Sequence, residues 1–521
     1  MFKGLPKQLS AYTFITFMNT LHIRNFRSIV DSGEIPINRM NILLGKNSSG
    51  KSSFVRIFPM LKQTISHHHR GPLLWFDEFY DLGKFETALS RHAKGEKEIV
   101  LGLKLDKPKP EPDCKTERCD DCALINSEPN LFLSDSKRYG LDIFLSCNDK
   151  GETVYKKIVL EFERYVVELQ PNSDDDFILV SINGEKFFQK SLKWSFRNIR
   201  LLPKLLAVNN SKLDKTQEKL TKLIRGISAF KDRHVQEFHN IGSIHLEEVL
   251  STWKKKQKNP IVSAVLSRIE ANPADAKDIL SLVIFINLAD CLRVVNNNVC
   301  SYFADSFYIA PVRYNYGRFM RNKEQSVDDI DPIGKNVMEY IEDMSDDDFK
   351  SYKEFIDKSF KATFFVDGKD NKSIKVIKDG EEDNLVDVGS GFAQVLPIAT
   401  MLWDLVNRRG NYCSIPYTVS IEQPELHLHP SMQAEFAEMV MNVMEKSMEK
   451  KNNLNLIIET HSPIILNRIG RMLRNKEVAP HVTDKDISVY LFEKENGITH
   501  ILTTKYNEDG RIENWPIGFL D

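Results

Sequence analysis

The string Gly45-Lys-Asn-Ser-Ser-Gly-Lys51-Ser52 constrains this chain more than any other feature in it. It follows the apolar run Met40-Asn-Ile-Leu-Leu and opens the helical pattern Ser52-Ser-Phe-Val-Arg-Ile-Phe-Pro-Met-Leu, so it reads as the turn between a buried strand and a helix. Glycines at both ends of the turn let the backbone curl until successive N–H groups point inward. They then add to the positive end of the helix dipole, where phosphate groups sit. Gly45, Lys46, Asn47, Ser48, Ser49, Gly50, Lys51, Ser52 and Ser53 are therefore the expected nucleotide-binding residues. Lys51 would neutralise the β- and γ-phosphates of ATP, and the Ser52 hydroxyl would ligate Mg²⁺. A glycine-rich turn capped by serines is the plainer alternative.

Such a loop needs an acidic residue at the end of a neighbouring strand to hold the metal. The run Tyr417-Thr-Val-Ser-Ile supplies one, entering Glu422-Gln423-Pro-Glu425-Leu-His427-Leu-His429-Pro430. Farther on, Leu454-Asn-Leu-Ile-Ile leads to Glu459-Thr-His461-Ser-Pro463. Two buried strands that end in loops of this kind imply a parallel sheet continuing the N-terminal one. Between them and the phosphate loop lies Asp387-Val-Gly389-Ser390-Gly391-Phe-Ala393-Gln394, a glycine-rich turn opening a helix.

The remaining text sorts by period. Thr20–Val30 alternates apolar and polar residues as a half-buried strand does, and Met1–Phe17 reads as a short extension ahead of it or as a misassigned start. Glu96 to Val180 alternates likewise, broken by a polar insert at Lys107–Pro129, which suggests a β-rich lobe around the first strands. Ser191 to Tyr302 turns helical. The expected divisions are an extension at 1–17, a first lobe at 18–190, a helical insertion at 191–302 and a second lobe at 303–521. With 41% apolar residues among 521, large cores are available and disorder is excluded. The net charge of −2 leaves nucleic-acid binding to local patches. Seven spread cysteines, the absence of a signal-peptide pattern and the absence of a long apolar run argue for a cytoplasmic protein with no membrane partner.

Taken in order, the loop, the glycine-rich turn and the two acidic strings resemble the ABC-type AAA family ATPases of the SMC, RecF and OLD-like branch. More narrowly they resemble the ATPase subunits of anti-phage systems such as Septu and PARIS. The resemblance implies an α/β P-loop NTPase head of ABC type, with a mixed sheet, a β-rich lobe and a helical insertion. It puts Glu422 at the Walker B metal position beside Ser52, and Gly389, Ser390, Gly391 and Gln394 in the signature motif that meets the γ-phosphate of an opposite subunit. His461 becomes the switch histidine. Two ATP molecules in a head-to-tail homodimer or higher oligomer follow, as does a separate effector protein such as a nuclease. A RecF- or SMC-like repair ATPase that clamps duplex DNA is the alternative, and a scaffold with a vestigial site is a third reading.

This chain departs from that pattern at Gln423, where a glutamate usually activates water. A neutral amide orients water but cannot take its proton at neutral pH, so turnover is expected to be slow, or Glu425 substitutes. Ala393 replaces a frequent serine, which leaves the γ-phosphate contact to Ser390 or to backbone N–H groups. Gln63 and Asp81 are the candidates for a further polar contact to the site. Among weaker signals, Cys114, Cys119 and Cys122, with Cys147 beyond, form a cluster that suits either zinc or free thiols. The segment 211–260 carries an excess of basic residues that suits either phosphate-backbone contacts or a solvated helix face. Asp346–Asp348 after Ser345 reads as a helix start or loop. His67–His69 reads as a loop, and His427 and His429 belong, on the resemblance, to an interface loop. The ending Arg511–Phe519 reads as a strand and an apolar tail docking on the sheet.

Overall fold

The computed structural model describes residues 17–106, 138–207 and 281–515, less 68, 70, 78, 163–164, 173–177, 188–191, 196–199, 282–283, 286–287, 322–326, 370, 410–415, 477 and 514. The chain opens with the hairpin β1 (Phe17–Phe26) and β2 (Ile29–Pro36). Next come β3 (Met40–Gly45), α1 (Lys51–Val55), α2 (Ile57–Ser66) and α3 (Phe85–Ala88). β4 (Ile99–Asp106), β5 (Arg138–Cys147), β6 (Thr153–Phe162), β7 (Tyr165–Pro171), β8 (Ile178–Ile182) and β9 (Glu185–Phe187) then extend the hairpin. The result is an antiparallel eight-stranded sheet in the order β2-β1-β4-β5-β6-β7-β8-β9, the β-rich lobe that the alternation predicts.

β10 (Leu192–Ser195) and β11 (Lys204–Ala207) pair antiparallel, and α4 (Leu288–Ala304) follows. The stretch expected to be helical from 191 therefore begins with strands. Leu192 and Leu205 are buried in the lobe's core, and that burial suits strands at this edge of the stretch. The basic segment 211–260, the cluster Cys114, Cys119 and Cys122, and residues 1–16 lie outside the described residues.

The second half runs β12 (Ser306–Ile309), β13 (Met320–Arg321), α5 (Val337–Glu342), α6 (Asp346–Phe360), β14 (Ala362–Asp367), β15 (Asn371–Lys378) and β16 (Glu381–Asn384). It continues with α7 (Ser390–Trp403), β17 (Pro416–Glu422), α8 (Pro430–Glu449), β18 (Asn453–Glu459), α9 (Pro463–Asn475), β19 (Ile487–Glu495) and β20 (Ile498–Thr504). The Ser345 hydroxyl accepts from the Asp348 N–H, so the acidic triplet is the first turn of α6, where carboxylates face the positive helix end.

The central sheet has six strands in the order β12-β17-β18-β3-β19-β20, with the first five parallel and β20 antiparallel. β17 and β18 continue the β3 sheet as expected. Every residue of β3 is buried because both faces are covered. Leu43, Ile457, Tyr490 and Phe492 project into a core shared with the β-lobe, α2 and α4. Met40, Ile42, Leu44, Leu456 and Ile458 project into a second core with α5 to α9. The strand period of two thus serves both cores, and the C-terminal ends of β3, β17 and β18 meet between them.

Candidate functional site

The phosphate loop leaves β3 and enters α1 at Lys51, as the motif requires. Gly50 has φ +106, and a Cβ there would come within 2.6 Å of Thr499 Oγ1; a Cβ on Gly45 would come within 2.4 Å of the Phe492 carbonyl. Side chains at either position would collide with β19 or β20. Thr499 in turn donates to the Ser49 carbonyl at 2.7 Å and shares a 2.8 Å hydrogen bond with Ser28 Oγ, so the last hairpin straps the loop. Lys51 is buried, and its Nζ donates to the carbonyls of Gly45 and Lys46 at 2.9 Å each. Burial lowers its pKa, opposed by the carboxylates of Glu459, Glu425 and Glu422. Asn47 to Ser53, Gln423 and Glu459 line one cavity of about 560 Å³, with Arg27, Arg91, His92 and Lys494 on its rim.

The two strand-ending acids stand opposite each other in register, yet their surroundings differ. Glu422 receives Arg56 in a fork, Nε to Oε1 at 2.7 Å and Nη2 to Oε2 at 2.9 Å, and Tyr308 donates to Oε1 at 2.8 Å. Glu459 accepts from the Ser52 hydroxyl at 2.9 Å and lies 3.8 Å from Lys51 Nζ. Its second oxygen, Oε2, is buried with no hydrogen-bond partner. Burial, then the charge of Glu422, pushes the Glu459 carboxyl up to about 7. The structure thus brings Glu459 to Ser52, where the sequence reading expected Glu422.

Gln423 lines the cavity in a left-handed conformation, φ +42, and its N–H donates to the Glu459 carbonyl at 2.8 Å. Both oxygens of Glu425 are engaged, Oε1 by the His461 N–H at 2.6 Å and Oε2 by the Thr460 hydroxyl at 2.8 Å. Burial raises its pKa. Arg313 donates to the carbonyls of Glu422, Gln423 and Pro311, holding the turn after β17 in place. That gives this arginine a positioning role that its sequence context did not reveal. His461 follows β18, with its Nε2 buried and unpartnered; burial, then the charge of Lys51, lowers its pKa to about 4, so the ring is neutral at pH 7.

Gly389 caps the N-terminus of α7, and both it and Ser390 are exposed. Gly391 packs toward Met432 and Leu428, while Gln394 keeps a buried, unpartnered Oε1. None of these four residues lines the cavity around Lys51. Gln63 is fully buried, donating to the Leu74 carbonyl and accepting from the Tyr80 N–H, and Asp81 caps a turn at Gly83; both serve the local fold.

His69 bonds the carbonyls of Thr64, Gly71 and Arg200. His429 caps α8 through Ser431, and His427 is exposed. Cys147 contacts Glu86. Ile512 bridges Tyr506, and both Ile512 and Trp515 pack on the second core, so the described part of the ending docks as expected. No helix of the described residues is long and apolar enough to cross a membrane.

The site residues that sequence reasoning missed are Glu459, Arg56 and Tyr308. Glu459 carried the same signal as Glu422, an acid ending an apolar strand. Arg56 was a lone cation in the apolar run that opens the first helix.

Comparison with known proteins places these features. The profile of a family described as AAA ATPase domain matches residues 17–466. The chain is 29% identical over 126 residues to protein ea59 of Escherichia phage lambda, covering 23% of this chain and 22% of that protein. It is 24% identical over 179 residues to the Septu protein PtuA of Bacillus mycoides, covering 33% of this chain and 23% of that protein. The chain thus spans less than a quarter of the length of these curated relatives. Among solved structures, the Smc head domain of Pyrococcus furiosus, bound to the C-terminal domain of ScpA, gives a TM-score of 0.37 at 10% identity over 94% of this chain and 96% of that one.

Proposed function

The chain belongs to the AAA ATPase domain family, and from that premise we propose that it binds and slowly hydrolyses ATP as a nucleotide-controlled dimeric switch. In this reading it governs a separate effector protein, such as a nuclease, in bacterial defence against phage. The observation that carries the ATP reading is the single cavity in which Lys51, Ser52, Gln423 and a half-unpaired Glu459 converge on the phosphate loop. The defence role is supported by the partial match to the Septu protein PtuA.

The residues fit a magnesium nucleotide. The nearby donors are the Ser52 hydroxyl and the Glu459 carboxylate, hard oxygen ligands of the kind Mg²⁺ takes, and the buried Oε2 of Glu459 has no hydrogen-bond partner. Bound there, the ion would offset phosphate charge. Lys51 is free to exchange two backbone carbonyls for phosphate oxygens. Gln423 orients a water without taking its proton, and the neutral His461 ring presents Nε2 to a polar partner. With both oxygens of Glu425 already accepting hydrogen bonds, slow turnover is expected. Because Gly389 and Ser390 are exposed and lie outside the cavity, their meeting with a γ-phosphate calls for a second subunit.

The test is ATP binding and turnover by the wild type and Lys51→Ala, each with and without duplex DNA, with mass followed by light scattering. Tight binding, slow turnover insensitive to DNA and ATP-dependent dimerisation are expected of the wild type. Lys51→Ala should weaken binding by about 100-fold or more, roughly 3 kcal/mol. Wild-type affinity in that variant would sink the proposal, and turnover that rises with DNA would favour a DNA-clamping ATPase.

A further inference from the structure

We propose that Glu459, rather than Glu422, is the carboxylate that works with Ser52 to hold the divalent cation at this site. The inference rests on the nucleotide reading above and assigns the ion within it. Glu422 has neither oxygen to spare. Oε1 accepts from Arg56 Nε and the Tyr308 hydroxyl, and Oε2 accepts from Arg56 Nη2. A cation arriving at Glu422 would have to displace a forked guanidinium and would sit beside its positive charge.

Glu459 is placed the other way. β18 is the immediate neighbour of β3, with Glu459 in register with Leu43, whereas β17 lies one strand farther out. Its Oε1 already holds the Ser52 hydroxyl at 2.9 Å. Its side chain is 2% exposed, and Oε2 makes no hydrogen bond although it sits beside the cavity that the phosphate loop lines. A buried carboxylate oxygen without a donor is costly, and a coordinated cation removes that cost. The arrangement divides labour between the two acids. Glu422 clamps the end of α1 to β17, and Glu459 faces the ligand.

Mn²⁺ is the probe, and a fluorescent ATP analogue reports binding to the full-length protein in Mn²⁺ and in EDTA. Electron paramagnetic resonance reads the bound Mn²⁺ directly. The variants are Glu459→Gln and the double change Arg56→Gln with Glu422→Gln, which removes the buried pair as a unit and avoids a stranded charge. Circular dichroism confirms that each is folded. Glu459→Gln should lose about 10-fold or more of the gain in affinity that Mn²⁺ gives over EDTA, while the double variant retains that gain. An undiminished gain in Glu459→Gln, or its loss in the folded double variant, would overturn the assignment. Absence of analogue binding to the wild type in both conditions would instead refute the nucleotide reading.

Discussion

At the scale of single residues, the site turns on which buried charge meets which partner. Arg56 and Glu422 form a forked ion pair in which Glu422 is fully buried and Arg56 partly exposed. Removing only the cation leaves Glu422 buried with Tyr308 as its remaining donor. Arg56→Met should therefore cost about 2 kcal/mol in urea unfolding, discounted for the exposure of the arginine, and Arg56→Met with Glu422→Met should recover most of it. Equal stability of wild type and Arg56→Met would show that the pair is not structural. This is also where sequence reading met its limit. The signal that nominated Glu422, an acid closing an apolar strand, is equally present at Glu459. What separates them is an arginine 366 positions away from Glu422, and no local pattern encodes that encounter.

At the scale of elements, the loop and its helix were legible because glycine, lysine and serine spacing reports a backbone shape. The hairpin that holds the loop shut went unread, although its signal was present. Asn496-Gly497, with φ +49 and +85, is the two-residue turn that twists correctly between antiparallel strands, and the apolar run Val489–Phe492 precedes it. The function of the hairpin depends on Thr499, which donates to the Ser49 carbonyl and meets Ser28. Thr499→Val keeps the shape and removes those bonds. At about 1 kcal/mol for the lost contact, nucleotide affinity should fall roughly fivefold while the thermal midpoint moves little. A titration with the fluorescent analogue that finds no change would mean that the glycine geometry alone holds the loop. The start of the stretch expected to be helical from 191 forms strands instead, because burial of Leu192 and Leu205 in the lobe, a tertiary effect, decides their form; its end is helical at Leu288–Ala304.

At the scale of the whole molecule, a six-stranded sheet with a core on each face brings the C-terminal ends of β3, β17 and β18 together, while the turn at Gly389 and the first turn of α7 lie outside the cavity they form. Order along the chain made the sheet legible; it could not say whether that turn faces its own loop or another's. If the proposed head-to-tail dimer forms, each site combines Lys51 of one subunit with Ser390 of the other. Lys51→Ala and Ser390→Arg should each be inactive alone. In a mixed dimer one site carries both defects and the other carries neither. Random re-association makes half of the dimers mixed, so mixing equal amounts should restore about a quarter of wild-type ATP turnover. Turnover that stays at the level of the separate variants, with dimers present by light scattering, would place loop and turn in one subunit's site and dismiss the shared-site architecture. Recovery near a quarter would place each working site across the interface, because a site with wild-type residues then exists only between subunits, and would support the ATP-dependent contact as the switch.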